Sequence, residues 1–403
     1  MSAPAASPTW AEISRSALES NLRGIRARVG PQPQIWPAVK ANAYGHGAVL
    51  VSRWLREWGV DGLCVARASE GQELRDAGID GPIALLTPFL PEQAEAVVRA
   101  RLEPVVVRRD QIEALAPLRG TAAEPLRVHV KVDTGMGRVG LTPGEALEFC
   151  RWIEGQGGFH LAGICSHFPV ADERDKSFSL RQIETFFGLA RALRAHGVVF
   201  DHAHISNSAG IMDLPPAWST LVRPGIMLYG LVPAGMGQPD DAMGLQPVLT
   251  LKTQIIFLKD FEAGAPVGYD GTHVTRRRTR VATLPVGYND GYPWSLSGKG
   301  EVLVRGHRAP VVGRISMDYL MVDVGRVPGV SVGDEVVLIG ASGGERVTVK
   351  ELADRAGTIP YEILTRLGKR VARTFRGGTT AAPEKGFTVL RRPGVWESPS
   401  AHR

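Results

Sequence analysis

The sequence has few of the features that would place a protein outside the cell or in a membrane. It contains only three cysteines, Cys64, Cys150 and Cys165, all in apolar segments and without CxxC spacing. We therefore expect neither a disulfide framework nor a zinc site. The N-terminal stretch MSAPAASPTW lacks the basic and apolar regions of a secretory signal. No apolar run approaches the roughly 20 residues of a transmembrane helix, so we expect a cytoplasmic protein with no membrane partner.

An excess of charge of one sign is also missing. The formal net charge is +6 over 403 residues, and the densest basic run, TRRRTR at 275–280, has no aromatic residues between its arginines. This pattern favours a solvated loop over a nucleic-acid surface, so no nucleic-acid partner is expected. His202 and His204 could hint at a metal ion, but no third ligand follows and no metal is expected.

What the sequence does contain is ordinary globular composition, with 44% hydrophobic and 22% charged residues, in a chain long enough for two domains. Short β-rich runs alternate with amphipathic helical patterns, which predicts an α/β fold with an N-terminal (β/α)8 TIM-type barrel over residues 10–240. A doubly wound open sheet is the alternative. The eight predicted strands are 35–39, 62–66, 82–87, 103–107, 126–132, 160–167, 200–206 and 219–223.

The pattern changes after Pro233, where a segment rich in glycine, proline and aspartate predicts a linker. Beyond it, β-rich runs follow one another with glycine-rich turns and only two short helical patterns. We predict a mostly β C-terminal domain over residues 241–378. The final segment, 379–403, has weak signals and is predicted to be an extended or flexible tail.

The chemistry of a (β/α)8 barrel lies at the C-terminal ends of its strands, so the polar residues there are candidates. The apolar run IWPAV ends directly at Lys40, where a buried strand does not favour an ammonium. A single lysine at a strand end is often a surface group, but many polar residues on one rim indicate a site. The other candidates are Tyr44, Asp133, Arg138, Ser166, His167, Ser206, Asn207, Ser208, Arg223, Gly225 and Ile226.

The residues after the seventh and eighth strands suit a phosphate, because barrels often bind phosphate there through backbone N–H groups and small hydroxyls. A lysine facing a phosphate site indicates a phosphorylated cofactor that is held covalently. Pyridoxal phosphate fits, since a lysine amine forms a Schiff base with it. Arg223 is placed to donate a hydrogen bond to the pyridine nitrogen, and an arginine, being a poor acid, would leave that nitrogen unprotonated.

Nine stretches of the sequence resemble the alanine racemase family of fold-type-III pyridoxal-phosphate enzymes. They occur in the family's order over residues 9–375: AVKANAYGHG, KVDTGMGRVG, SHF followed by ADE, NSAG, VRPGIMLYG, VGYDGTHV, LPVGYNDGY, VGRISMD and TIPYEIL. The resemblance implies an isomerase that interconverts L- and D-alanine, with D-alanine supplied to cell-wall peptidoglycan. It also implies a homodimer whose active sites are shared between subunits.

The family pattern assigns two catalytic residues. Lys40 resembles the Schiff-base lysine, which also acts as the base for the D-enantiomer. Tyr269 resembles the opposing base for the L-enantiomer, contributed by the partner subunit, because racemisation needs one base on each face of the same carbon.

The remaining roles also come from the resemblance. Arg138 is similar to an arginine near the cofactor's phenolic oxygen and the substrate carboxylate, and His167 to a histidine beside the ring that is hydrogen-bonded to Arg223. Lys131 matches a lysine that is carbamylated in some members. The cofactor-binding set is Lys40, Tyr44, Arg138, His167, Asn207, Ser208, Arg223, Gly225, Ile226 and Tyr361. The substrate-binding set is Arg138, Met317, Asp318 and Tyr288.

The sequence departs from the family pattern at a few positions. Ser316 stands where many members have cysteine, and Pro169 and Val170 follow His167 where other small residues are common. A broad-specificity or serine racemase on the same scaffold is therefore the alternative, although TGMGR after the fifth strand favours alanine. The stretch around Tyr269 argues against a decarboxylase, and the β domain argues against a non-catalytic cofactor-binding barrel. A barrel enzyme without pyridoxal phosphate is the last alternative.

Overall fold

The computed structural model describes residues 7–119, 124–237 and 244–377. Within these ranges the chain forms two compact units. One unit holds the described parts of Ser14–Leu249 and Val349–Arg366, and the other holds those of Met1–Ile13, Thr250–Thr348 and Leu367–Arg403. The division predicted at residues 240 and 241 stays a prediction, and the predicted tail at 379–403 lies outside the described residues.

The first strand of the chain belongs to the strand-rich unit, and eight parallel strands follow in the barrel unit. Strand β1 spans Thr9–Ser14. The barrel strands are β2 (Gln34–Ile35), β3 (Leu63–Val65), β4 (Ile83–Leu85), β5 (Glu103–Val106), β6 (Leu126–Lys131), β7 (Phe159–Cys165), β8 (His202–His204) and β9 (Leu221–Val222). All eight strands predicted from the sequence are present, and each is shorter than predicted.

The eight strands form a ring. Strands β3 to β8 make one parallel sheet in chain order, and β2 pairs with β9. A parallel bridge between Ala38 and Cys64 joins the β2 side of the ring to β3. The ring also closes between β8 and β9, because the backbone N–H of Arg223, just after β9, donates to the carbonyl of Ser206, just after β8, at 3.0 Å. The predicted (β/α)8 barrel is therefore confirmed.

Most of the helices lie between barrel strands, and local sequence explains both ends of the first one. Helix α1 begins where the Ser14 hydroxyl accepts from Ala17 N at 3.2 Å and ends at Gly30, whose φ of 75° favours glycine. The helices are α1 (Arg15–Val29), α2 (Lys40–Tyr44), α3 (Ala48–Glu57), α4 (Ala68–Asp76), α5 (Ala94–Arg99), α6 (Arg109–Leu115), α7 (Pro143–Glu154), α8 (Ser177–Ala195), α9 (Ser208–Asp213), α10 (Val349–Ala356) and α11 (Pro360–Thr365).

The second unit is built mainly from antiparallel strands, as the sequence predicts for the C-terminal part. Its strands are β10 (Leu249–Gln254), β11 (Phe257–Phe261), β12 (Pro266–Val267), β13 (His273–Val274), β14 (Thr279–Leu284), β15 (Glu301–Val304), β16 (His307–Val312), β17 (Leu320–Asp323), β18 (Glu335–Ser342), β19 (Glu345–Val347) and β20 (Ala372–Arg376). The main sheet has the order β11-β14-β17-β16-β15-β18-β10-β1-β20. Both the first and the last described strands therefore complete the sheet of this unit.

Candidate functional site

Lys40 lies at the start of a left-handed helical turn. The four residues that follow it, 41–44, have φ values of 51°, 54°, 52° and 53°, and none of them is glycine. Each such residue costs about 1–2 kcal/mol relative to a right-handed conformation. A run of this kind persists only where other contacts hold it, and strained backbone clusters at functional sites.

Several hydrogen bonds hold the left-handed turn in place. Ala43 N donates to the carbonyl of Val39 at 2.8 Å, and the Asn42 side-chain oxygen accepts from Ala48 N at 2.7 Å. The carboxylate of Glu70, in α4, accepts from Ala41 N at 2.6 Å. Its other oxygen accepts from the backbone N–H groups of residues 66 and 67, at 2.8 and 3.0 Å. Glu70 therefore ties the loop that carries Lys40 to the loop after β3.

Replacing Glu70 with alanine is expected to lower the free energy of unfolding by about 1–2 kcal/mol, because three backbone donors lose their acceptor. Chemical denaturation of the two proteins measures this difference. The matched control is Glu73→Ala, an exposed position on the same helix, which should change stability by no more than about 0.5 kcal/mol. Equal stability of the Glu70 variant and the native chain would contradict the anchoring role.

The ammonium of Lys40 lies in an environment that favours its neutral form. Burial lowers the pKa of Lys40, and the positive charges of Arg138 and Arg223 lower it further. A lysine acts as a base or a nucleophile only when it is neutral. The surroundings of Lys40 therefore increase the fraction of reactive amine at any given pH.

A small polar cradle lies beside this turn, formed by Tyr44, Ser208, Gly225 and Tyr361. A Cβ atom at Gly225 would lie 2.8 Å from the Tyr44 hydroxyl, so only glycine leaves this space open. The Ser208 oxygen accepts from Gly225 N at 2.9 Å and from Met227 N at 3.3 Å. Both bonds use the oxygen as acceptor, so the hydroxyl proton of Ser208 is left to be donated.

The tyrosines of the cradle are neutral hydrogen-bond donors. Burial raises the pKa of Tyr361 to about 12 and raises that of Tyr44 further above its usual value. The ring of Tyr44 stacks on Tyr229 at 5.0 Å and lies 6.2 Å from the ring of Tyr361.

Ile226 is buried next to Gly225. Asn207 caps α9, its side-chain oxygen accepting from Gly210 N at 3.0 Å.

Arg223 is buried and uses both terminal nitrogens within the barrel. Nη1 donates to His204 Nδ1 and to the His204 carbonyl, and Nη2 donates to the carbonyls of Ser166 and Ile205 at 2.8 and 3.3 Å. Among the described residues, none accepts a hydrogen bond from Nε. One donor of a buried guanidinium is therefore left for a ligand.

His167 and Lys131 lie near these cations. Burial, followed by the charge of Lys131, holds the pKa of His167 well below its usual range, so the imidazole is neutral. In the described part of the chain His167 makes no side-chain hydrogen bond to Arg223. The bond expected there is made by His204 instead. Burial lowers the pKa of Lys131 to about 8, and no carboxylate in the described ranges pairs with it.

The loop after β6 presents Arg138. Its shape depends on Asp133, whose carboxylate accepts from the backbone N–H groups of Gly135, Met136 and Gly137 at 2.8, 2.8 and 2.9 Å. Arg138 itself is exposed. Within the described ranges, no carboxylate forms an ion pair with it.

The remaining candidates, Tyr269, Tyr288, Met317 and Asp318, belong to the strand-rich unit. Tyr269 follows Gly268 at the start of a short 3₁₀ turn, Tyr269–Gly271, and is 69% exposed. The next residue, Asp270, has a φ of 57° and forms an ion pair with Arg314 at 3.1 Å. The turn thus fixes the backbone while the phenol of Tyr269 stays on the surface.

Tyr288 and Met317 are held side by side. Tyr288 N donates to the carbonyl of Ser316 at 3.1 Å, and Asn289 N donates to the carbonyl of Met317 at 3.3 Å. Both candidate side chains are largely exposed, at 42% and 52%. The carboxylate of Asp318 pairs with Arg370 at 2.8 Å. We call the exposed set Tyr269, Tyr288, Trp294, Met317 and Tyr319 the aromatic face.

Models of two protein domains together match most of the chain. The model described as "Alanine racemase, N-terminal domain" matches residues 13–233, and "Alanine racemase, C-terminal domain" matches residues 248–375. The chain belongs to the alanine racemase family. The resemblance read from the nine sequence stretches is therefore confirmed, as is the expectation of an amino-acid racemase.

The similarity of the chain to individual alanine racemases supports this assignment. The chain is 43% identical over 369 residues to the alanine racemase of Halothermothrix orenii, covering 92% of this chain and 97% of the relative. It is 44% identical over 375 residues to that of Symbiobacterium thermophilum, covering 93% and 98%. The crystal structure of alanine racemase from Streptomyces lavendulae superposes with a TM-score of 0.87 at 34% identity, covering 93% of this chain and 98% of that one.

The geometry of this alanine racemase family member includes three residues to which the sequence analysis gave no role at the cofactor site. His204, considered there only as a possible metal ligand, accepts from Arg223, Glu70 anchors the Lys40 turn, and the Tyr229 hydroxyl donates to the carbonyl of Ala38 at 2.8 Å. Tyr229 lies within the stretch VRPGIMLYG, so that motif was a signal for it. His204 and Glu70 act over long sequence separations that no local pattern indicates.

The described residues contain neither a cluster of metal ligands nor a helix that could span a membrane. No group of three or more histidine, cysteine, aspartate or glutamate side chains there could hold a metal ion. In the same ranges, no helix combines the length and the apolar character needed to cross a membrane. The three cysteines are buried and free.

Proposed function

We propose that this protein interconverts L- and D-alanine with pyridoxal phosphate, and that it supplies D-alanine for peptidoglycan in the cytoplasm. The observation that carries the proposal is the position of Lys40. It begins the strained left-handed turn that leads to Tyr44 of the cradle, and the charge of the buried Arg223 acts on it, in a chain of the alanine racemase family. Both features suit a cofactor that has a phosphate at one end and a basic ring nitrogen.

The residues of the barrel unit fit this cofactor. Ser208 has a hydroxyl proton to donate, and Tyr44 and Tyr361 are neutral donors beside the open space at Gly225. These groups, with Asn207 and Ile226, would hold the phosphate. Arg223 has one unused donor, Nε, which suits a ring nitrogen acceptor. His167, which is neutral, would pack beside the ring, and Arg138 would donate to the phenolic oxygen.

Pyridoxal phosphate, when bound, supplies an electron sink that makes the α-proton of an amino acid removable. The protein's own groups then move that proton. Lys40 would hold the cofactor covalently and act as base on the face that carries the α-proton of D-alanine. Its lowered pKa suits this task, because a neutral amine takes a proton and an ammonium returns one.

The second base is Tyr269 of the partner subunit in a homodimer. Racemisation needs a proton removed from one face of the α-carbon and another delivered to the opposite face. The aromatic face supports an interface with a second copy, because it gathers large exposed side chains such as Trp294 (53%) and Tyr319 (49%) on one unit. Such side chains are enriched in interface cores.

The substrate carboxylate needs donors, and Arg138 is a suitable one because it has no ion-pair partner in the described ranges. Met317 and Asp318 of the partner subunit would complete the contact. Because the Asp318 carboxylate is paired with Arg370, its contribution would come through the backbone. Tyr288 would lie at the entrance for the substrate.

The test of this proposal is reduction of the purified protein with borohydride. The protein should be yellow, and peptide mass spectrometry should find the reduced cofactor on Lys40. The control is the Lys350→Ala protein, which should be labelled in the same way because Lys350 lies on α10 and pairs with Asp354. A colourless protein that takes up no pyridoxal phosphate would overturn the proposed function.

The proposed sharing of sites predicts complementation between two inactive variants. A Lys40→Ala subunit and a Tyr269→Phe subunit, mixed and allowed to exchange, should form heterodimers in which one site has both native bases. We expect about half of the native activity per heterodimer. Mixtures of each variant with itself serve as controls. Recovery no greater than in these controls would argue against sites shared across an interface.

Lys131 is proposed to be carbamylated. Its neutral amine would attack carbon dioxide, so that an N–C bond forms, one C–O π bond becomes a carboxylate and a proton is released. Because the pKa is lowered to about 8, the reactive fraction rises as the pH rises through about 8. A ¹³C-carbamate signal should then grow from ¹³C-bicarbonate and be absent in Lys131→Gln. A signal that is unchanged in the variant would contradict the assignment.

A further inference from the structure

A chain of hydrogen-bonded, buried side chains runs through the barrel interior from Arg223 to Glu103. His204 Nε2 lies 3.1 Å from His129 Nδ1, and His129 Nε2 lies 3.1 Å from Glu103 Oε2. The exposed fractions of Glu103, His129, His204 and Arg223 are 6%, 0%, 1% and 5%. These side chains run from Glu103, the first residue of β5, to Arg223, which directly follows β9. Polar groups this deeply buried are kept only when they are hydrogen-bonded.

Only one arrangement of protons satisfies every bond in this chain. An arginine can only donate, so His204 Nδ1, which it faces, must accept. A neutral His204 then carries its proton on Nε2 and donates to His129 Nδ1. By the same argument, His129 carries its proton on Nε2 and donates to the carboxylate of Glu103. A second proton on either imidazole would place two donors against each other, so both rings are neutral and the chain has a direction.

The surroundings reinforce this arrangement. Burial raises the pKa of Glu103, but hydrogen bonds from His129 and Arg127, together with the charge of Arg127, outweigh it and hold the pKa below its usual value. Glu103 is therefore a carboxylate. Trp36 packs edge-on against His129, with ring centroids 6.0 Å apart and planes at 79°. A Cβ at Gly163 would lie 2.9 Å from His129 Nδ1, so glycine at this position leaves room for the imidazole.

We propose that Glu103 and His129 are positioning residues for Arg223, acting through His204. An anionic acceptor at one end polarises both N–H groups and strengthens the lone pair at His204 Nδ1. That lone pair, with three backbone carbonyls, fixes the plane of the guanidinium and so directs its unused Nε. The inference rests on the proposed function, because it concerns the residue assigned to the cofactor's ring nitrogen.

The hydrogen-bonded chain from Glu103 to Arg223 is tested by proton NMR of the full-length protein as purified. Two downfield N–H resonances are expected, one for each bridging imidazole proton. Both should disappear in His129→Leu, whereas Glu103→Gln, which keeps an oxygen acceptor, should retain both with changed shifts. His202→Gln is the matched control, because His202 lies on the same strand as His204 but outside the chain, and it should leave both resonances unchanged. Absence of these resonances in the native protein would overturn the proposal.

The effect on Arg223 is tested with the holoenzyme. We expect Glu103→Gln and His129→Leu to lower kcat for L-alanine by about 10-fold, as losses of such supporting contacts usually do, and to shift the cofactor absorption band. KM should change by less than about twofold, because no substrate contact is lost. His129→Gln, which can accept and donate in the same places, should recover most of kcat. An unchanged kcat and band in Glu103→Gln and His129→Leu would overturn the positioning role.

The two measurements separate this inference from the proposed function. If both downfield resonances are present but the protein binds no pyridoxal phosphate, the proposed function fails, and with it any role of the chain in the reaction. If the protein is yellow and racemises alanine without those resonances, the proposed function stands and the inference fails.

Discussion

Replacing Lys40 with alanine is expected to lower the rate of alanine racemisation by about 10⁴-fold or more in both directions. General base catalysis alone contributes about 10²–10⁴-fold, and the variant also loses the covalent attachment of the cofactor. The rate is measured from each enantiomer by chiral chromatography, with added pyridoxal phosphate so that simple loss of the cofactor does not decide the result.

The control for this prediction is Lys350→Ala, which should keep its native rate. Denaturation curves of the Lys40 variant would show that the fold is intact, because removing a partly desolvated ammonium is not expected to destabilise the barrel. A Lys40→Ala protein whose rate stays within about tenfold of native would contradict the catalytic assignment, since tenfold is below the usual contribution of one catalytic base.

The second large effect is expected for Tyr269→Phe. Loss of the phenol should slow exchange of the α-proton of L-alanine with deuterated solvent by about 10²–10⁴-fold. Cofactor binding should stay near native, because the cradle and Arg223 lie in the other unit of the chain. Mass spectrometry of recovered L-alanine measures the exchange, and absorbance measures the bound cofactor.

Tyr319→Phe is the matched control for this substitution. Tyr319 is also exposed, at 49%, and lies on the aromatic face, but its backbone rather than its hydroxyl is held by Ser316. It should exchange the α-proton at the native rate. If the Tyr269 variant exchanges as fast as this control, Tyr269 is not the base for L-alanine.

Much of the fold could be predicted from the sequence because its signals are local. The barrel strands read as short apolar runs between amphipathic helical patterns, and all eight are present. The bounds were less predictable. The run at 35–39 pairs regularly only over Gln34–Ile35, and Ala38 adds a single bridge to Cys64. Pro37 lies between them and has no N–H to donate, which interrupts regular pairing.

The conformation after Lys40 could not be predicted. Ala41, Asn42, Ala43 and Tyr44 all adopt positive φ, although only asparagine among them favours it. The turn depends on Glu70, which lies 29 residues further along the chain and accepts from Ala41 N. A tertiary contact thus overrides local preference at the residue on which the proposed chemistry depends.

The residues of the candidate site could be predicted where they belong to contiguous motifs. Contacts between residues of different barrel strands were harder to predict. Tyr44, Ser208 and Gly225 follow strand ends and are found beside one another, and Lys40 begins the turn that carries Tyr44. The resemblance implied that His167 is hydrogen-bonded to Arg223, whereas the structure has His204 in that place. The register that brings His204 to Arg223 depends on how β8 and β9 curve within the ring, which neither strand's sequence specifies by itself.

The most direct measurement is a chiral assay of the purified protein against a panel of L-amino acids in deuterated solvent. We expect L-alanine to be converted to D-alanine until the two are equal, with one deuterium at the α-carbon, and other amino acids to react far more slowly. Comparable conversion of L-serine would identify a broad racemase on the same scaffold. Release of carbon dioxide, or recovery of L-alanine with no D-alanine formed, would contradict the central claim.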